Sequence, residues 1–427
     1  MALVGIVFVV FLLLGMPIAF MLGLSGVTHL LVLNNPTFLS VIPQRMFAGI
    51  NSFSLLCIPF FVLAGDLMNK GGITQRIMGF VRECVGCFRG GLAYAAVIVG
   101  MILSAILGSA NAVAVILCAV LVAEMSKDGY DEDFSVSLIA SAGVLGSIIP
   151  PSVTFILYSV LTGVSVNKLF IAGIVPGVLI GLGYMLVIRY YTKKRNYPRV
   201  KEKFEPKELF RAFIKAAPAL LVPIVIVGGV LGGVFTPTES GAVAVAVTIA
   251  FISGLAYRTL KLSELPEILL NTAMTTAAIM LIVAFGNIIG WTFAIDQLPT
   301  KIAKGMVAIT TNKNLVMLMI LAALVIIGCV MDGFAAIMIF VPVFAPIAKS
   351  VGIDPIHFGI IFSVMVNIGL ITPPVGMLLF VTSNISKVPL GKINKAVLPF
   401  VLSAFVITVI MAFVPEIVMF LPKLLAK

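Results

Sequence analysis

Two stretches decide the reading of this chain: Gly146-Ser147-Ile148-Ile149-Pro150-Pro151-Ser152-Val153 and Gly369-Leu370-Ile371-Thr372-Pro373-Pro374-Val375-Gly376. The offset between them, 223 residues from Pro150 to Pro373, runs on without a gap. It pairs Gly129 with Gly352, Asp131 with Asp354, Pro176 with Pro399 and Leu179 with Leu402. That register is the mark of an internal duplication. Each Pro-Pro pair sits inside a long apolar run, where proline removes a backbone donor and clashes with the preceding turn, so a helix must open there.

The surrounding composition says what the opened helices sit in. Of 427 residues, 61% are hydrophobic and 11% charged, and the mean hydropathy is +1.21. A soluble domain has about 45–50% apolar and about 25% charged residues. Apolar runs of about 20 residues fit helical membrane spans and not the short alternating strands of an outer-membrane barrel. The net charge of +11 comes from Lys and Arg at the ends of these runs, which read as topology signals and lipid-headgroup contacts and not as a nucleic-acid surface. In hydrocarbon, opened backbone persists only where protein or a water-filled cavity satisfies it. Interrupted segments at matching places in two halves mark a transport site.

Working outward, a first span is expected over 4–33, uncleaved and ended by Asn34-Asn35-Pro36. Residues 37–50 and 73–89 carry charges that suit interfacial arms, with an apolar run at 53–69 between them. The run 91–125 is broken at Gly108-Ser109-Ala110-Asn111, which predicts a re-entrant hairpin; one full span with a polar patch is the alternative. An interrupted helix follows at 134–162 and a span at 168–191. Residues 192–208 are the most basic stretch and are expected in the cytoplasm, together with the loop holding Arg258 and Lys261. Spans at 214–235 and 239–257, a run at 268–295, a second hairpin at 315–348 with Met331-Asp332-Gly333 at its tip, a second interrupted helix at 357–384 and a last span at 396–421 complete the chain.

The organisation read from this is all-α and polytopic, with two inverted repeats. The first covers 1–191, with span and arms at 1–89 and hairpin, broken helix and following span at 90–191. A basic linker, arm helix and connecting span occupy 192–238. The second repeat covers 239–427, divided at 312. The extra span at 214–235 inverts the second repeat, so the two hairpins enter from opposite faces.

Each tip can meet the break of its own repeat. Carbonyls freed there suit a desolvated cation, and half-helix N-termini suit an anion. One cation site is expected from Ser109, Asn111, Gly146 and Pro150, and a second from Asp332, Gly333, Gly369, Thr372 and Gly376. Asp332 is the sharpest signal, because a carboxylate within an apolar run is costly unless paired or functional; a helix cap is its other reading. Ser152 and Thr154 either contact substrate or pack the helix. Asp66 reads as a structural partner or cap. Asp128, Asp131, Glu132 and Asp133 read as caps at a helix start. His29 and His357 stand alone in the sequence and take no ligand role, and Cys84-x-x-Cys87 has no second pair to make a metal site. No protease, hydrolase or zinc motif is present, so no enzyme activity is expected.

Several motifs together resemble the large membrane subunit of TRAP transporters, the DctM family. They are Pro59-Phe60-Phe61-Val62-Leu63-Ala64-Gly65-Asp66-Leu67-Met68, Gly173-Ile174-Val175-Pro176-Gly177, Gly233-Val234-Phe235-Thr236-Pro237-Thr238-Glu239-Ser240-Gly241-Ala242 and the two Pro-Pro breaks, and the likeness runs from about Gly5 to the C-terminus. The resemblance implies a sodium-driven importer of organic acids, such as a sialic acid or a C4-dicarboxylate, in a bacterial inner membrane. A periplasmic binding protein would deliver the substrate, and a small DctQ-like membrane subunit would be a separate chain. It also implies an elevator-type fold, with arms at 37–50, 73–89 and 205–217 as hinges. A stand-alone sodium-coupled anion symporter, needing no binding protein, is the alternative. At the tips this chain has Ser-Ala-Asn and Met-Asp-Gly where symporters of similar fold often carry Ser-Asn-Thr.

Overall fold

In the computed structural model, residues 2–33, 36–199, 204–249, 257, 259 and 261–425 are described. They form α-helices joined by short turns, and eight helical segments among them are long and apolar enough to cross a membrane.

The expected first span is two helices, α1 (Ala2–Leu13) and α2 (Ile18–Val32), packed on each other. Gly15 turns the chain at a φ of +70°, a conformation glycine adopts without steric cost, and Pro17 caps α2. The single span over 4–33 is thereby corrected; Gly-x-Pro divides what composition alone reads as continuous. The Asn34-Asn35 terminator lies outside the described residues.

Helix α3 (Pro36–Ile50), a single 3-10 turn at Phe53–Leu56, α4 (Cys57–Lys70) and α5 (Ile73–Val85) follow. Ile73, Ile77 and Val81 recur every fourth residue, so one face of α5 is buried while Gln75 and Gly79 are exposed. The charged segment is a short amphipathic helix. Next come α6 (Gly91–Leu107), α7 (Ala110–Lys127), α8 (Glu132–Val144), α9 (Val153–Thr162) and α10 (Val166–Arg195). Helix α11 (Pro206–Leu231) joins the expected arm at 205–217 and the span at 214–235 into one continuous element. Pro206 opens it at the first turn, where no donor is lost, and Pro218 and Pro223 lie within it without ending it.

The Gly233–Ala242 motif acquires a local role at α12 (Pro237–Val247). Thr236 N donates to Glu239 Oε2 at 2.7 Å, and Glu239 N donates to Thr236 Oγ1 at 3.3 Å, a capping box that starts the helix. The remainder of the span expected at 239–257 falls largely outside the described residues, as does Arg258. Helix α13 (Leu265–Ile295) is followed by a short helix the sequence reading left out, α14 (Leu298–Ile309). Then come α15 (Lys313–Val330), α16 (Gly333–Ser350), α17 (Pro355–Gly369), α18 (Met377–Ser386), α19 (Leu390–Phe413) and α20 (Pro415–Leu425).

At the 223-residue offset, Ala110–Lys127 coincides end to end with Gly333–Ser350. Gly129 and Gly352 take φ values of +81° and +78°, and both Pro-Pro bonds are cis. The second break is one residue longer, because α9 starts at Val153 and α18 at Met377. Beyond it the likeness resumes: the hydroxyl of Ser159 donates to Val164 O and that of Ser383 to Val388 O.

Two packing groups result. In one, α13 lies against α2, α3 and α4, α4 against α12, and α11 against α5 and α12. Asp66 of α4 accepts a hydrogen bond from Thr272 Oγ1 of α13 at 3.0 Å, the structural partnership expected of it. The other group holds α6–α10 and α15–α19, and the two groups meet where α13 packs against α16 and α5 against α6. Ser137 Oγ donates to Ile393 O at 3.1 Å and Tyr158 OH to Pro355 O at 2.8 Å, tying first-half helices to second-half ones. Neither histidine is alone: His29 lies 3.2 Å from Asp296, and His357 Nε2 is 3.0 Å from Met411 O.

At the start of α8 the acidic cluster pairs across the chain instead of only capping. Asp131 Oδ2 accepts from Arg195 Nη1 and from Tyr197 OH, both at 2.7 Å. The equivalent Asp354 does cap its helix, accepting from Ile356 N and His357 N. The Tyr197 hydroxyl, with Arg195 beside it, holds the Asp131 carboxyl below its ordinary range. The resulting stability is present above about pH 4 and is lost as pH falls through the lowered folded value. With the side chain 49% exposed, it amounts to about 1 kcal/mol. Asp131→Asn is therefore expected to lower the melting temperature of the purified protein by about 1–2 °C at pH 7. The gap should close as pH falls below about 4; a gap independent of pH would remove the ion pair from the account.

Candidate functional site

Helices α6 and α7 pack against each other across a two-residue break, Gly108-Ser109. Gly108 ends α6 at a φ of +63°, and a Cβ there would lie 2.8 Å from Pro151 O, so the tip rests on the first Pro-Pro break. Val153 N donates to Gly108 O at 3.3 Å. A Cβ on Gly146 would lie 2.6 Å from Ser109 O. The residues expected together, Ser109, Gly146 and the Pro150 segment, are thus brought together, with Asn111 in the first turn of α7 beside them.

Ser147, which sequence reasoning passed over, is the centre of this cluster. Its Oγ accepts from Ala110 N at 2.9 Å and so caps α7 from across the gap, while Ser109 makes no capping bond. Its carbonyl accepts from Ser152 Oγ at 2.6 Å and Thr154 Oγ1 at 3.0 Å. Both hydroxyl residues are fully buried, and their oxygens lie 2.8 Å apart. In this conformation Ser152 and Thr154 brace the opened backbone. The signal for Ser147 was the hydroxyl itself, three residues before a Pro-Pro pair that frees backbone groups needing partners.

At the second cluster Asp332 Oδ2 accepts from Phe334 N at 3.0 Å and caps α16. Asp332 therefore does cap its helix, one of the two readings open to it. Gly369 abuts Gly328 of α15, and Gly376 N donates to Cys329 O at 3.3 Å, so break and tip again meet. Thr372 Oγ1 donates to Ile368 O at 2.8 Å. A second residue missed in the sequence lies here. Asn367 is 1% exposed, its Nδ2 donates to Ser363 O, and its Oδ1 is buried without a partner. A Cβ on Gly333 would lie 3.7 Å from that oxygen. A lone amide near the end of an apolar helix was the only trace in sequence. A buried amide oxygen left without a partner is a rare arrangement in a folded interior, and it sits beside the second tip. Among the described residues no group of His, Cys, Asp and Glu is arranged to hold a transition metal.

The clusters are cross-packed: α9 lies against α16 and α18 against α7.

The sequence profile described as "Tripartite ATP-independent periplasmic transporter, DctM component" matches residues 5–417. The chain is 39% identical over 402 residues to the C4-dicarboxylate TRAP transporter large permease protein DctM of Pseudomonas aeruginosa, covering 94% of this chain and 93% of that one. It is 36% identical over 410 residues to the sialic acid TRAP transporter large permease protein SiaM of Vibrio cholerae, covering 96% and 95%. Among solved structures, the YdaH transporter of Alcanivorax borkumensis is similar in fold, with a TM-score of 0.64 at 16% identity over 88% of this chain and 87% of that one.

Proposed function

The chain belongs to the DctM component of tripartite ATP-independent periplasmic transporters, and on that footing we propose that it imports an organic acid across a bacterial inner membrane, driven by sodium. The observation that carries this reading is the pair of tip-and-break clusters. Each offers acceptor oxygens for a cation, and helix N-termini at α7, α9, α16 and α18 offer N–H groups and dipole charge for a carboxylate. Sodium bound at Ser109, Asn111, Gly146 and Pro150 and at Asp332, Gly333, Gly369, Thr372 and Gly376, with Asn367 beside them, would order the tips before the anion binds. The substrates named for its relatives, C4-dicarboxylates and sialic acid, are both carboxylates.

Elements recurring at the 223-residue offset support a duplication in which each half carries a hairpin and a broken helix, and the extra span at α11 would invert the second half. The division into two packing groups supports an elevator: α6–α10 and α15–α19 would move against the group around α13, with α3, α5, the first turns of α11 and α14 as connecting arms. A periplasmic binding protein and a small membrane subunit complete the transporter.

The test is uptake of labelled organic acids into proteoliposomes holding this chain with its small-subunit partner. Uptake at least about tenfold above background is expected only with both the binding protein and an inward sodium gradient. Uptake that needs sodium but no binding protein would place the chain with stand-alone symporters.

A further inference from the structure

A cleft of about 740 Å³ opens between α5 and the first turns of α11, lined by Arg76, Phe80, Glu83, Glu208, Arg211 and Lys215. The transport reading makes no use of it. We propose that this cleft binds the headgroup phosphate of an anionic phospholipid.

Position comes first. Helix α11 starts shortly after α10 ends in Lys193, Lys194 and Arg195, and Gly90, just before α6, donates to Pro198 O at 2.9 Å. The cleft therefore lies at the basic end of the molecule, which the positive-inside rule puts against the leaflet richest in anionic lipid. The proposal rests on that orientation and not on sodium coupling.

The side chains are arranged for this ligand. Arg76 is held in place, donating to Gly72 O at 2.9 Å and stacking on Tyr257 at 3.8 Å from the ring centre, while the Tyr257 hydroxyl donates to Lys215 O at 2.6 Å. Arg211 and Lys215, one turn apart on α11, face it across the cleft, and both are exposed. Three cations against the carboxylates of Glu83 and Glu208 leave one positive charge in excess, matching a singly charged phosphodiester. Fork-shaped guanidinium groups suit its paired oxygens.

Beside the cleft, Phe210, Ile214 and Phe213 are 63%, 55% and 45% exposed on the same turns of α11. They place apolar surface where acyl chains would lie, as on a helix seated in the interface. A soluble anion would make no use of that surface.

The full-length protein, delipidated in neutral detergent, is titrated with phosphatidylglycerol or phosphatidylcholine and read by native mass spectrometry. Phosphatidylglycerol should be retained about tenfold more strongly, and the exposed double variant Arg211→Gln/Lys215→Gln should bring the two lipids to near parity. A matched variant on the other arm, Lys301→Gln/Lys304→Gln, should leave the preference unchanged. Equal retention of both lipids by the unaltered protein, or an unchanged preference in the α11 variant, overturns the proposal. Displacement of phosphatidylglycerol by millimolar inorganic phosphate would overturn the lipid assignment and make the cleft a soluble-anion site.

Discussion

Asp332→Ala is expected to abolish sodium-dependent uptake while leaving the protein assembled in the membrane. Asp332 does two things that can be separated. One carboxylate oxygen caps α16 through Phe334 N, a contribution of about 1 kcal/mol that alanine would remove. The charge is the other. A carboxylate at a helix break within an apolar hairpin is retained at a cost, and a cation offsets that cost directly. Losing a charged ligand should weaken sodium binding by roughly 2–3 kcal/mol, or about 30–150-fold. Asp332→Asn tells the two apart, because asparagine also caps a helix and keeps an oxygen in place without the charge. Uptake by Asp332→Asn should demand far more sodium than the unaltered chain requires. Were it to transport with unaltered sodium dependence, Asp332 would be a cap alone and the second cation site would be withdrawn. The first tip has Ser109 at the equivalent position, so it lacks a formal charge, and the two sites should differ in affinity.

The helix breaks, the interruptions at Gly108-Ser109 and Met331-Asp332 and the amphipathic helix α5 were legible because each leaves a mark of backbone chemistry or periodicity. Two prolines delete donors at one place, and glycine beside small polar residues marks a tip. Ile73, Ile77 and Val81 repeat at helical spacing. What stayed hidden depended on partners far away in the chain. The bond from Asp131 to Arg195 spans 64 residues, so the acidic cluster looked like simple capping. Ser147 and Asn367 were hidden for a related reason. A single polar residue in an apolar helix looks the same whether it packs, caps another helix or holds an ion. Gly15 and Pro17 did carry a visible signal, but the hydrophobicity around them concealed it. The likeness between halves was readable to the residue up to the breaks. The one-residue lengthening after Pro374 moves the later elements to an offset of 224, as Ser159 and Ser383 show, so the pairings of Pro176 with Pro399 and Leu179 with Leu402 read from the sequence are one residue out of register.

Gly369→Ala is expected to reduce uptake to near background, through packing and not through a lost ligand. An alanine Cβ at 369 would sit 2.4 Å from the Cα and carbonyl carbon of Gly328 and 2.7 Å from its oxygen. Those atoms are backbone and cannot rotate away, so α15 and α17 would have to separate by about 1 Å in an interior packed as densely as a crystal. Overpacking of this kind costs about 1–3 kcal/mol, and the displacement falls on the site itself. Helix α15 leads into Asp332, and α17 carries Asn367 and ends at the break, so separating them pulls tip and break apart. Gly391→Ala is the control, since nothing lies within 4 Å of its added Cβ. The assay pairs initial uptake rate with the rise in melting temperature that sodium produces, because a ligand stabilises the state it binds. Gly369→Ala should lose both, and Gly391→Ala neither. Gly146→Ala should repeat the loss at the first site, where the added carbon would meet Ser109 O. A Gly369→Ala protein that keeps its sodium-induced stabilisation would mean that the close approach of these two glycines does not set the geometry of the second cation site.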